Sequence, residues 1–383
     1  MKRGNQTGKE GNPTRIKGIY VHVPFCIKKC RYCDFYSLEL RESYLVEAYL
    51  EALEREIKDF FEPNLGKYTL YIGGGTPTAL DFCSLRKLLE IVGRYFGSPV
   101  EFTVEANPLT LDREKLGLLK DYGVTRVSLG VQSFSDRVLR ILGRIHTSRD
   151  AIETIENASH FFENFNIDMI YSVPGEELDD IILSFDHLKA IRPPHVSAYA
   201  FTLEEGTPIY RDVMEGKLTV DDEDTFRYKY DHVLSTLRTL GYEQYEVSNF
   251  TSSRRYRCLH NLVYWMLRDY YGFGPSAHSY FGGVRYENRK DLYSYIKDPK
   301  NVKTIVSQDD SDFLKELVML SLRTSCGLSL RKIPDSYRSA VLEHARDLEE
   351  MGLVNILNDR IVVTDEGYSV LSSIIVQIWE ALD

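Results

Sequence analysis

Tryptophan is scarce in this chain, with two residues in 383, and cysteine is not abundant, with six. That is far below the ~8% cysteine content of a disulfide scaffold, so the thiols are left for metal binding, catalysis or packing. No run approaches the ~18 apolar residues a membrane-spanning helix needs, so no integral membrane segment is expected. Net positive charge is also missing. Lys and Arg number 47 against 57 Asp and Glu, which leaves −10 and argues against broad electrostatic binding to nucleic acid. Residues 1–17 are polar, lack the apolar core of a secretory signal and read as a disordered lead. The expected setting is therefore cytoplasmic, with reduced cysteines. What remains is ordinary globular composition, 43% hydrophobic and 27% charged, over a length that suits two or three domains.

From residue 18 to about 245, short apolar strands alternate with helical patterns. Strands are expected at 19–23, 69–72, 101–105, 126–129, 166–170 and 196–199. Helices are expected at 44–60, 84–95, 113–122, 150–162 and 178–190. This alternation implies parallel strands joined by right-handed crossovers, either as an open doubly wound sheet or as an incomplete (β/α) barrel. The polar residues favour the barrel. Gly73, Gly74 and Gly75 follow the second strand, Glu105 ends the third, Gln132 follows the fourth and Asp168 lies late in the fifth. Strand C-termini are where such folds collect their sites. Residues 246–305 are rich in Tyr, Gly, Asn and Arg without clear periodicity and read as a connecting segment. From 306 to 383, two amphipathic helices, a hairpin turning at Asn358-Asp359 and a helix capped by Thr364 suggest a smaller α+β, winged-helix-like unit. That unit is not markedly basic, so a DNA-binding role is disfavoured.

The strongest local signal is Cys26-Ile-Lys-Lys-Cys30-Arg-Tyr-Cys33, directly after the first strand. Three thiolates within eight residues select zinc or iron–sulfur. Structural zinc wants four ligands, and the next cysteine, Cys83, follows an unrelated strand. Three ligands suit a [4Fe–4S] cluster with one iron open to a small molecule. His22, on the preceding strand, reads as a packed residue. The loop Gly73-Gly74-Gly75-Thr76 lacks the Gly-Lys-Ser/Thr ending of a P-loop, but its bare backbone allows close approach to a ligand.

The CxxxCxxC spacing resembles the radical S-adenosylmethionine superfamily, whose fold is a partial (β/α)6 barrel. YVHVPFC, GGGTPT at 73–78, VEANP at 104–108, SLGVQSF at 128–134, GRIH at 143–146 and DMIYSVPG at 168–175 resemble the oxygen-independent coproporphyrinogen oxidase group within it. The resemblance runs from about residue 18 to the end. It implies that Cys26, Cys30 and Cys33 hold the cluster. It also implies that Tyr20, Gly74, Gly75, Thr76, Glu105, Gln132, Arg144 and Asp168 surround S-adenosylmethionine. Arg144 suits a carboxylate, which its planar fork grips at two points.

Within the group, the decarboxylating dehydrogenases carry a further cysteine just after the third ligand. Here Cys33 is followed by Asp34-Phe35-Tyr36, the pattern of a heme chaperone branch. Cys258-Leu-His260-Asn261-Leu-Val-Tyr264-Trp265 resembles that branch's HNxxYW motif, which implies His260 as a heme contact. Imidazole is a common axial ligand of heme iron. A packed histidine is the alternative. Lying past the six-strand repeat, His260 is expected to hold heme away from the cluster. Cys258 is a rival axial ligand that reads better as a buried free thiol, and His278 is a further candidate heme contact. Cys83 and Cys326 read as packing residues. The partners so implied are heme, recipient heme proteins such as those of a respiratory chain, and a second copy of the chain. The competing function is oxidative decarboxylation of coproporphyrinogen III.

Overall fold

The structure is a computed structural model that describes residues 16–60, 66–300, 303–306 and 310–382. Most of the polar lead lies outside the described residues. Six parallel strands form where the apolar pattern places them: β1 Lys17–Val23, β2 Tyr68–Gly74, β3 Glu101–Ala106, β4 Arg126–Gln132, β5 Phe165–Tyr171 and β6 His195–Ala200. They lie side by side in chain order, as repeated right-handed crossovers dictate. Their near-continuous burial, complete along β4, is that of parallel strands covered on both faces.

The crossover helices are α1 Ser43–Phe60, α2 Phe82–Phe96, α3 Arg113–Asp121, α4 Asp136–Leu142, α5 Ser148–Phe161 and α6 Leu178–Ile191. Short polar residues start most of them. Asp81, Asp112 and Ser135 each accept a backbone N–H in the first turn of α2, α3 and α4, and Thr147 with Asp150 forms a capping box on α5. Such caps stabilise a helix by about 1 kcal/mol each and fix where it begins. The core between helices and sheet is built from residues such as Leu50, Leu53, Leu70, Ile72, Leu88, Val104 and Leu129, all at most 1% exposed.

The segment 246–305 is not the connection its composition suggests. Four further helices, α7 Pro208–Met214, α8 Glu223–Thr239, α9 Leu259–Trp265 and α10 Leu292–Lys297, accompany the chain as it extends both edges of the sheet. Antiparallel strands β7 Glu243–Glu246 and β8 Asn249–Thr251 continue it beyond β6. On the other side β9 Tyr270–Phe273 pairs parallel with β1, and β10 His278–Phe281, β11 Val284–Asn288 and β12 Lys303–Val306 follow antiparallel. The twelve-stranded sheet therefore runs straight through the boundary expected at 245. Alternation along these strands is masked because their ends are short and rich in tyrosine, which packs on either face.

Past residue 310 a second core gathers Val318, Leu322, Val341, Ala345, Ile361, Ile374 and Ile378. Helices Asp310–Leu322 and Asp335–Glu350 are followed by the hairpin Val354–Leu357 and Arg360–Val363, joined by a short strand Leu328–Ser329. The Thr364 side chain caps the next helix by accepting from Gly367 N–H, as the sequence suggests.

Candidate functional site

The cluster loop leaves β1 at Pro24 and returns at Leu38, where Phe25–Cys26 and Leu38–Glu39 form a two-residue parallel ladder. Its middle is tied down at Arg31. The Arg31 N–H donates to Leu142 O at 3.0 Å, Ile209 N–H donates to Arg31 O at 3.2 Å, and the guanidinium pairs with Asp212. Gly143 ends α4 in the left-handed region at φ 73°, and a Cβ there would stand 2.5 Å from Arg31 Cγ. That sharp stop turns the next residue, Arg144, back toward the cysteines.

The glycine loop after β2 is pinned to the same place. Gly75 N–H donates to Val23 O at 2.8 Å and Thr76 N–H donates to Phe25 O at 2.7 Å. Gly74 sits at φ 108°, and a Cβ on Gly75 would lie 2.6 Å from Phe25 O. Only glycine permits both the conformation and the approach.

Between these loops and the ends of β3 to β6 opens a cavity of about 500 Å³. Cys26, Cys30, Cys33, Gly74, Gly75, Thr76, Glu105, Gln132, Arg144 and Asp168 all line it. The sequence-derived set thus converges apart from two members, Tyr20 and His260. Tyr20 bonds through its hydroxyl to His22 Nδ1 at 3.0 Å, and His22 Nε2 reaches Tyr36 O at 2.8 Å. Tyr20 therefore supports the strand behind the glycine loop. His22 is the packed residue expected, 4% exposed.

The donors around the cysteines suit thiolates. Thr76 Oγ1 donates to Cys26 Sγ at 3.6 Å, and Arg144 Nη1 donates to Cys30 Sγ at 3.4 Å. Burial pushes the Cys33 thiol up to about 11 and raises Cys26 as well, so bound iron would have to supply the charge that stabilises three thiolates. Arg144 Nε is buried without a partner, a donor left over for a ligand. Among the described residues no three His, Cys, Asp or Glu side chains close round a single-ion point. The fit to a cluster therefore rests on three clustered thiols with two donors aimed at sulfur.

Two carboxylates face the cavity from β3 and β5. Burial raises Glu105 to about 7, although Tyr71 OH donates to its Oε1 at 2.7 Å and Gly74 N–H to its Oε2 at 3.1 Å. Burial raises Asp168 too, against bonds from Ser128 Oγ at 3.1 Å and Asn166 Nδ2 at 2.7 Å. Gln132 holds φ 70° beside a bulge between Gly130 and Gln132, backbone strain of a kind that gathers at functional sites.

Tyr71, Asn107 and Arg126 are among the lining residues not singled out from sequence. Asn107 lies within the quoted VEANP stretch, but nothing in its spacing marks it. Arg126, 2% exposed, opens a strand where a solvated arginine is the ordinary expectation.

His260 corrects the expectation of a ring presented to a ligand away from the barrel. It is 1% exposed, its Nδ1 bonds Thr69 Oγ1 at 2.8 Å, its Nε2 bonds Tyr264 OH at 2.7 Å, and its ring stacks on Tyr71 at 4.9 Å. Burial pushes it down to about 3, so it is neutral. α9 packs on β1 and β2, and Asn261 itself lines the cavity. Cys258 is buried beside Glu101, whereas His278 is exposed. Cys83 and Cys326 are exposed rather than packing residues.

Residues 20–188 match the radical SAM superfamily, and residues 308–370 match the HemN C-terminal domain. The heme chaperone HemW of Bacillus subtilis (strain 168) is 33% identical, over 92% of this chain and 96% of the relative. HemW of Mycobacterium tuberculosis (strain ATCC 25618 / H37Rv) is 35% identical, over 93% of each. Among solved structures, coproporphyrinogen III oxidase (HemN) from Escherichia coli, a radical SAM enzyme, superposes with a TM-score of 0.80. It covers 97% of this chain and 91% of that one at 23% identity, a likeness of fold. The chain belongs to the radical SAM superfamily, within the family of the heme chaperone HemW.

Proposed function

We propose that the chain is a heme chaperone that holds a [4Fe–4S] cluster on Cys26, Cys30 and Cys33, binds S-adenosylmethionine in the cavity beside it, and carries heme to recipient proteins. The observation that supports this most is the convergence of the three thiols with Thr76, Glu105, Gln132, Arg144 and Asp168 on one cavity, in a chain whose curated relatives are named heme chaperones. When bound, the cluster supplies one-electron chemistry and an open iron. The chain's own residues do the rest. Gly74 and Gly75 let backbone come close, Arg144 offers its free Nε to a carboxylate, and Glu105 and Asp168 accept from ammonium or ribose hydroxyls.

Heme is proposed to reach iron ligation at His260. As folded, both ring nitrogens are bonded, so Nε2 must first leave Tyr264. The ring is also buried and bonded to Thr69 on the adjacent strand, so heme uptake is coupled to movement of α9 away from β2. Decarboxylation of coproporphyrinogen III is the second reading, and Asp34 following Cys33 disfavours it.

The test is anaerobic reconstitution with iron and sulfide. About four irons should bind per chain. Ser in place of Cys26, Cys30 or Cys33 should abolish this, and Cys83→Ser and Cys326→Ser should not. The loaded protein should take up heme and pass it to an apo heme protein. With coproporphyrinogen III, a reductant and S-adenosylmethionine it should form no protoporphyrinogen IX. Repeated turnover to that product would replace the chaperone reading with the enzymatic one.

A further inference from the structure

Thr76 and Arg144 touch different cysteines and come from different elements, yet one side chain joins them. Asn107 Nδ2 donates to Thr76 Oγ1 at 2.8 Å, and Asn107 Oδ1 accepts from Arg144 Nη2 at 2.6 Å. A continuous chain of hydrogen bonds results, from Cys26 Sγ through Thr76, Asn107 and Arg144 to Cys30 Sγ. We propose that Asn107 is a positioning residue that sets the hydrogen bonding to two of the three cluster thiolates and thereby the reduction potential of the cluster. The proposal rests on the cluster assignment made above.

The direction of each bond follows from what each group can do. Thr76 has one hydroxyl proton. With Asn107 Nδ2–H donating to its oxygen, that proton is free to point at Cys26 Sγ. On the other side, Oδ1 of Asn107 and the carbonyl of Gly130 both accept from Arg144 Nη2. Nη2 so held, Nη1 faces Cys30. The amide is the one small side chain that both donates and accepts in a fixed plane, so it orients both neighbours at once.

Asn107 is itself held firmly. Its backbone N–H donates to Thr110 Oγ1 at 3.2 Å, its carbonyl accepts from Thr110 N–H at 3.0 Å and Thr110 Oγ1 at 2.7 Å, and Thr110 Oγ1 is 2.6 Å from Thr78 Oγ1. Leu109 inside this turn is at φ 69°, a strained conformation that persists only when its surroundings enforce it. A Cβ on Gly130 would lie 2.4 Å from Asn107 Oδ1, so the glycine of β4 makes room for the amide.

Hydrogen bonds to cluster sulfurs favour the more negative, reduced cluster and raise its potential. Asn107→Ala frees Thr76 to turn its proton elsewhere and lets Arg144 swing, so both thiolates lose donors. The reconstituted cluster, measured without S-adenosylmethionine, should keep four irons but show a more negative potential and a shifted electron paramagnetic resonance signal. Thr76→Val should lower the potential in part. The double variant should fall by less than the sum of the two, because the changes share one bond chain. Strict additivity, or an unchanged potential and signal in Asn107→Ala, would overturn the proposal. If Asn107→Ala loads poorly, Asn107→Ser is measured in its place. Failure of both to load while Thr76→Val loads normally would make Asn107 a residue of the turn alone and overturn it equally. A parent chain that binds no iron would overturn the cluster assignment and the positioning role of Asn107 together.

Discussion

At the scale of single residues, the site depends on groups held away from their ordinary ionisation. Glu105 is the sharpest case. Burial raises it from 4.5 to about 7, because a carboxylate loses its hydration inside the barrel. Two consequences share that cause. The folded chain holds a proton on Glu105 that the unfolded chain has lost, so this group's contribution to stability is present below about 4.5 and declines as pH rises toward about 7. Binding of a cationic or hydroxyl-donating ligand needs the ionised form, so affinity for S-adenosylmethionine should rise as pH increases through about 7. Glu105→Gln should weaken binding about tenfold or more, as loss of a charge-assisted hydrogen bond does, and flatten that pH profile. Calorimetric titration between pH 6 and 8 checks this. An equally steep profile in Glu105→Gln would assign the titration to Asp168.

At the scale of elements, the six strands were legible because parallel strands buried on both faces read as short apolar runs, and five of the crossover helices because amphipathic stretches are periodic, whereas the seven residues of α4 are too few to show a period. The three cysteines proposed to hold the cluster and the glycine loop were legible because the chemistry proposed for them needs contiguous residues. His260 was not. Its motif is visible, and the i,i+4 bond to Tyr264 is local to α9, but its bond to Thr69 on β2 comes from tertiary packing that no local pattern encodes. The β9–β12 extension was hidden for a related reason, since its pairing with β1 joins residues some 250 positions apart in sequence. On the proposed reading, these contacts govern how heme reaches His260. Removing the hydroxyl that holds Nε2, by Tyr264→Phe, leaves one bond fewer to break, worth about 1 kcal/mol. Heme should then bind severalfold more tightly, whereas His260→Ala should lose the ligated Soret band while keeping iron and sulfide. Titration of both variants with heme decides it, and unchanged binding in both would make His260 a packing residue only.

At the scale of the whole molecule, the barrel and the C-terminal unit have separate cores but share backbone and charge contacts. Glu246 bridges to Thr324, Val247 N–H donates to Arg323 O at 2.8 Å, and Ser325 N–H donates to Tyr245 O at 3.0 Å, so the edge beside β7 continues into the second unit. Val247 and Leu267 pack against the second core. On the opposite side of the sheet Arg285 of β11 pairs with Glu316, both half-buried. The weaker exposed pairs Arg227–Glu366 and Arg238–Asp365 add little, since such pairs are worth about 0–1 kcal/mol. Contacts at both ends of one sheet should make the two units unfold together. Calorimetry of the full chain should therefore give one transition. Arg285→Ala, which removes this pair from the interface, should lower it and split off an earlier transition from the C-terminal unit. Two transitions in the parent chain would mean that the interface adds less than either core, and that the units fold independently.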